Sequence, residues 1–135
     1  MRRAKDAGAA FAFSPGFDPK LVECANELGF AYMPAVATPS EMMQAQSFKL
    51  KELKFFPAQA MGGLAMLRSM VSPFSELDFC PTGGIKLDNM SDYLALKNVF
   101  CVGGSWIATS DDMLSRNWQG IIDKAKLARL RVENE

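Results

Sequence analysis

Histidine is absent from these 135 residues. That excludes Ser–His–Asp and Cys–His catalysis and any zinc site built with an imidazole. Proton transfer is left to carboxylates, lysines, tyrosines, cysteines and water. Excess charge of either sign is also missing, since 15 basic residues balance 15 acidic ones. Nothing in that balance points to nucleic acid or to an acidic membrane surface. Cysteine is scarce: Cys24, Cys80 and Cys101 are odd in number, far apart and form no CxxC pair. They fit no secreted disulfide framework and read as buried thiols of a reducing cytoplasm. The basic start at Arg2, Arg3 and Lys5, followed by "AGAAFAF", is too short and too interrupted by Asp6 for a signal peptide. No apolar run approaches the ~20 residues of a membrane span. Both nucleotide fingerprints, GxGxxG and GxxxxGK[ST], are lacking.

What is present is a regular alternation. The composition, 49% hydrophobic and 22% charged, suits one globular domain over 1–135. Five short apolar runs recur at 9–13, 30–33, 53–56, 77–80 and 99–102, each followed by proline or glycine. Such runs read as buried strands bounded by turns. Helical patterns lie between them. "DPKLVECANELG" has Asp18 as N-cap, Pro19 in the first turn and Gly29 as its stop. "TPSEMMQAQSF" starts at Thr38 and Pro39, "GGLAMLRSMV" and "DNMSDYLALK" carry apolar residues at helical spacing, and a last helix holds Trp118, Ile121, Ile122 and Ala125 before a polar end. The nine methionines read as adaptable core filler.

Strands that are apolar throughout, alternating with helices, imply an α/β fold with a parallel sheet. An open doubly wound sheet and a (β/α) barrel both fit. Gly83-Gly84 and Gly103-Gly104 follow the last two runs. A barrel commonly builds its phosphate site from the loops after its final strands, which favours the barrel. Two tight turns are the other reading of those glycines.

"ELKFFPAQAMGG" places Lys54 within an apolar strand. Side chains alternate along a strand, so Glu52, Lys54 and Phe56 share one face and Leu53 and Phe55 the other. With Leu53 and Phe55 against helices, Lys54 faces the interior of a barrel. There it loses hydration, which favours the neutral amine that attacks ketones. A lysine on an exposed edge, or one paired with a buried carboxylate, would give the same local pattern.

"LKFFPAQAMGG", "FCPTGGI" and "VGGSW" resemble the Schiff-base (class I) aldolases of 2-keto-3-deoxy-6-phosphogluconate (KDPG) and 4-hydroxy-2-oxoglutarate (KHG). "FAFSPGF" and "MPAVATPSE" resemble that family's preceding strand ends, in the same order. The resemblance implies a (β/α)8 TIM barrel and reversible cleavage to pyruvate and an aldehyde, with neither metal nor organic cofactor. It implies that Lys54 forms the Schiff base and that Phe56 packs against the pyruvoyl methyl. Pro15 and Thr82 would line the keto-acid pocket. Gly83, Gly84, Gly104 and Ser105 would cradle phosphate, favouring a phosphorylated keto acid as substrate. It further implies a cytoplasmic homotrimer with no nucleic-acid or membrane partner. Gln59 stands where the family usually carries glutamate.

The five strands resemble the fourth to eighth of the family's barrel, and the first three have no counterpart. A full barrel takes ~250 residues, with ~200 near the lower limit. The resemblance therefore implies a partial barrel, cut short upstream. The family's catalytic glutamate, an arginine for the carboxylate and a threonine would then lie outside 1–135. Such a chain alone is expected to be a weak catalyst that self-associates through the open edges at 9–13 and 99–102. Two other functions remain compatible: a non-catalytic binder of sugar phosphates, and a phosphate-binding barrel isomerase or epimerase. Only imine chemistry requires the Lys54 amine.

Overall fold

Polar caps and prolines set the helix starts. In the computed structural model, which describes residues 1–133, the chain runs α1 (Arg2–Asp6), β1 (Phe11–Phe13), α2 (Pro19–Leu28), β2 (Ala31–Met33), β3 (Ala35–Val36), α3 (Pro39–Ser47), β4 (Glu52–Phe55), α4 (Gly63–Met70), β5 (Asp78–Pro81) and α5 (Met90–Leu94). A 3-10 turn (Ser105–Ile107), α6 (Ser110–Leu114) and α7 (Trp118–Glu133) follow. The Asp18 side chain accepts from the Lys20 N–H, and Gly29 ends α2 in the left-handed conformation with φ of 54°. Thr38 and Glu41 close a reciprocal capping box on α3. The helix at Arg2–Asp6 ends just before the first strand.

All strand pairs are parallel. β1 pairs with β2, while β3, β4 and β5 lie side by side in that order. Only Pro34 separates β2 from β3. The segment therefore changes partner there: β2 bonds to β1, β3 bonds to β4, and the Pro34 carbonyl accepts from the Lys54 N–H at 3.0 Å.

Two expectations need correction. The second run does not end at residue 33, because pairing resumes at Ala35–Val36. The fifth run, 99–102, is not a continuous strand. Val99 and Gly103 make single bridges, to Phe79 and Thr82. The cause lies in β5. Pro81 has no N–H to give the neighbouring segment, and its carbonyl accepts from Gly103, at 2.9 Å, rather than from Val102. One extra residue is thereby bulged out of the ladder.

The core lies on the helix-covered face. Leu53, Phe55, Leu67, Phe79 and Met42 are completely buried, and the Phe55 and Phe79 rings meet edge to face at 6.3 Å. Met42 and Met90 fill this core, whereas Met43 and Met113 are exposed. Among the described residues of α7 Ala128 alone is buried, and Trp118, Ile122, Leu127 and Leu130 face outward. Among the described residues no helix is long and apolar enough to cross a membrane.

Candidate active site

Burial alternates along β4 as the sequence predicts. Leu53 and Phe55 are inaccessible, while Lys54 and Phe56 emerge half-buried on the other face. The Lys54 Nζ lies 4.5 Å from the centroid of the Phe56 ring and 5.9 Å from that of Phe13. Both distances allow cation–π attraction. Phe13 reaches the ammonium from β1, a strand not adjacent to β4. Its part was not recognised in the sequence, although the alternation in "AAFAF" puts Phe11 and Phe13 on one face. Glu52 lies one strand repeat below Lys54, exposed and opposite Asp78.

The loops after β4 and β5 are clipped together. Thr82 donates its N–H to Phe55 O at 2.9 Å, Ala58 donates to Thr82 O at 2.8 Å, and Gln59 donates to Gly83 O at 3.1 Å. The Phe56–Pro57 peptide bond is cis. Gly83 and Gly84 take φ of 98° and 81°, a region that favours glycine. A Cβ on Gly83 would sit 3.3 Å from the Phe56 ring, and one on Gly84 would sit 2.2 Å from the Gln59 side chain. These two glycines, with Pro57, Gln59 and Ala60, line a groove of about 410 Å³.

The remaining candidates are more dispersed. Thr82 sits opposite Gly103, and its Oγ1 donates to Cys80 O at 3.4 Å. Gly104 is extended (φ −138°), and what bars a side chain there is the Trp106 ring, 2.7 Å from a Cβ. Gly104 lines a different cavity, of about 350 Å³, together with Ile85, Trp106 and Cys101. Ser105 opens the 3-10 turn and is exposed. Pro15 is exposed at the end of β1, where Ser14 Oγ donates to Gly16 O at 2.6 Å and meets Tyr32 Oη at 2.7 Å. Burial pushes the Tyr32 phenol above its ordinary value, and the Ser14 contact opposes that rise. Lys54, Phe56, Thr82, Gly83 and Gly84 thus meet through the two clipped loops. Pro15, Gly104 and Ser105 stand further out.

Among the described residues, no three His, Cys, Asp or Glu side chains converge to hold a metal ion. The site offers an amine, two aromatic faces and a turn of backbone N–H groups, which suits a carbonyl compound carrying an anion.

The family model for KDPG and KHG aldolase matches residues 1–124. The chain belongs to the KDPG and KHG aldolase family. The KHG/KDPG aldolase of Escherichia coli (strain K12) is 46% identical over 133 residues, which are 98% of this chain and 61% of that protein. The 2-dehydro-3-deoxy-phosphogluconate aldolase of Dickeya dadantii (strain 3937) is 46% identical over 90% of this chain and 57% of its own length. The chain therefore spans about 60% of the length of the curated aldolases it matches. In structure it resembles the KDPG aldolase of Legionella pneumophila with pyruvate captured at low pH as a covalent carbinolamine intermediate. The TM-score is 0.88 at 40% identity, covering 91% of this chain and 60% of that one. The 2-keto-3-deoxy-6-phosphogluconate aldolase of Zymomonas mobilis ZM4 with 3-phosphoglycerate gives 0.79 at 36% identity, covering 96% and 58%. The α/β fold with parallel strands is common to these aldolases.

Proposed function

We propose that this chain is the lysine-bearing part of a class I aldolase that cleaves KDPG to pyruvate and glyceraldehyde 3-phosphate, and KHG to pyruvate and glyoxylate. The observation that carries the reading is the placement of the Lys54 amine on the sheet face away from the core, within reach of the Phe56 and Phe13 rings, with the Phe56 ring lying in turn against Gly83. The covalent carbinolamine in the Legionella relative supports the same chemistry.

In this reading the neutral Lys54 amine adds to the ketone carbon of the substrate. The carbinolamine loses water to give a protonated imine. As the bond between C3 and C4 breaks, its electron pair moves into the imine, and the C4 hydroxyl gives its proton to a base. The resulting enamine takes up a proton at C3, and water releases pyruvate. Phe56 covers the pyruvoyl methyl, and Pro15 and Thr82 flank the keto acid. Gly83 and Gly84 offer backbone N–H groups to the phosphate, and Gly104 and Ser105 complete the cradle from the segment that Gly103 holds beside Thr82.

The same reading takes 1–135 as one domain, five βα units of a (β/α)8 barrel. The cytoplasmic homotrimer that the family resemblance implies belongs to it as well.

The test is reductive trapping. Incubation with pyruvate and borohydride, followed by peptide mapping, should place one adduct on Lys54, and Lys54→Met should abolish it. Labelling at another lysine, or undiminished labelling of Lys54→Met, would overturn the assignment. A folded chain that takes no label yet binds glyceraldehyde 3-phosphate would favour the non-catalytic binder.

A further inference from the structure

Gly83 and Gly84 have no side chains to hold their turn, and glycine backbone is the most pliable there is. Something outside the pair must fix it. Gln59 does so first, donating its N–H to Gly83 O at 3.1 Å. The next two peptide units are fixed by one side chain, that of Asn89. Its Nδ2 donates to Gly84 O at 3.1 Å, and its Oδ1 accepts from the Lys86 N–H at 2.8 Å. These partners also settle which end of the amide is oxygen. Asn89 immediately precedes α5, yet its side chain caps none of that helix's N–H groups. It is turned back into the loop. A trans peptide unit points its N–H opposite to its C=O, and the units of this turn are trans. With Gly83 O turned to Gln59, the Gly84 N–H points away from the Gln59 backbone. With Gly84 O turned to Asn89, the Ile85 N–H points away from Asn89. Ile85 O likewise faces away, within 3.0 Å of where a Cβ on Gly104 would stand. Among the described residues neither the Gly84 nor the Ile85 N–H has an acceptor. Gly84 lines the groove of about 410 Å³, and Ile85 is buried beside it in the chain.

We propose that Asn89 is a positioning residue of the anion site: its amide sets the Gly84–Ile85 and Ile85–Lys86 peptide units so that two successive N–H groups stay open to a phosphate. Asn89 itself touches no substrate atom. The inference rests on the reading of the Gly83-Gly84 turn as a phosphate cradle, and adds what holds that cradle in shape. Donors set in advance lose little freedom when the anion arrives, and an N–H bond to phosphate is charge-assisted. Without the amide, the glycine turn is free to swing the Gly84–Ile85 unit over. The anion would then meet a carbonyl oxygen in place of an N–H. The side-chain bonds of Asn89 stay within residues 84–89 and do not reach β4. Cutting them therefore leaves the Lys54 amine as it was.

Inorganic phosphate is titrated into isotope-labelled chain while the backbone amide resonances are followed, and pyruvate–borohydride trapping is run beside it. In the unaltered protein the Gly84 and Ile85 amides should shift together and saturate. In Asn89→Ala the phosphate affinity should fall ~3- to 10-fold, the scale of one misdirected hydrogen bond. The pyruvate concentration for half-maximal trapping on Lys54 should stay the same. Asn89→Ser keeps a hydroxyl too short to span both partners, and should behave alike even where the alanine variant folds poorly. Gly84 and Ile85 amides that ignore phosphate in the unaltered protein would overturn the proposal. So would an unchanged phosphate affinity in both variants, or equal losses of phosphate binding and pyruvate trapping. A protein that takes no pyruvate label, yet binds phosphate at Gly84 and Ile85 and loses that binding in both variants, would bear out the role of Asn89 and end the aldolase reading instead.

Discussion

Leu53 and Lys54 are one residue apart and have opposite tasks. Leu53 is completely buried in the helix-facing core, and Lys54 stands on the other face of the sheet. Truncation of Leu53 to alanine removes buried methyl groups and leaves a cavity, which costs ~2–5 kcal/mol. Lys54→Met keeps the length of the side chain and removes only its charge and its cation–π contacts, worth ~0.5–1 kcal/mol each near a surface. Urea denaturation should therefore show a large loss for Leu53→Ala and a small one for Lys54→Met, while only the latter loses pyruvate trapping. A loss at Lys54 as large as that at Leu53 would mean that the lysine is structural. The face of Lys54 was legible in the sequence because alternation is local. Its neighbour Phe13 was not, because strand order decides which distant residue leans over the amine. The bulge after Val99 was hidden for a similar reason, because it depends on the missing N–H of Pro81.

Helix ends tell the same story among elements. The caps at Asp18, Gly29 and Thr38 were readable because each is a short-range pattern with a direct hydrogen-bond consequence. The short α6 was overlooked, although "TSDD" carries the capping-box spacing. Thr109 accepts from the Asp112 N–H, and Asp112 accepts from the Thr109 N–H. Asp112 is buried and also accepts from Asn117 Nδ2 and Lys124 Nζ, which ties α6 to the first turns of α7. The Lys124 ammonium first, and the Thr109 donors next, hold its carboxyl well below the ordinary value of 3.8. With the folded value depressed, this contribution to stability is complete above about pH 4 and fades as pH falls further. The melting temperature should thus drop on acidification below pH ~4, where an unfolded carboxyl begins to protonate. Asp112→Asn should start lower and lose less over the same range. Equal slopes for the two proteins would show that Asp112 is not a group driving the acid loss.

At the level of the whole molecule, the face opposite the helices is unevenly covered. Phe11 is 59% exposed and Phe100 45% exposed, and both line the 590 Å³ groove. Among the described residues β1 pairs only with β2, and the backbone bridges of the 99–103 segment go only to Phe79 and Thr82. Strand edges beside apolar surface recruit other chains. Sedimentation velocity should show self-association that grows with concentration, and Phe11→Lys combined with Phe100→Lys should shift the population toward monomer. No shift would mean that chains associate elsewhere. The fivefold alternation had made this sheet visible in the sequence, but not its change of partner at Pro34, a single residue within one continuous run. That change bears on how the molecule opens. The main hydrophobic cluster takes none of its fully buried members from residues before Val36. β1 and β2 are therefore held to the remainder through one proline-interrupted segment and little shared interior. Regions with few buried contacts open at lower free energy than the core. Amide protons in the β1–β2 ladder should exchange with deuterium well before those of β4 and β5, as a separate cooperative unit. Lys54 would then lose its Phe13 neighbour, while keeping Phe56, every time that unit breathes.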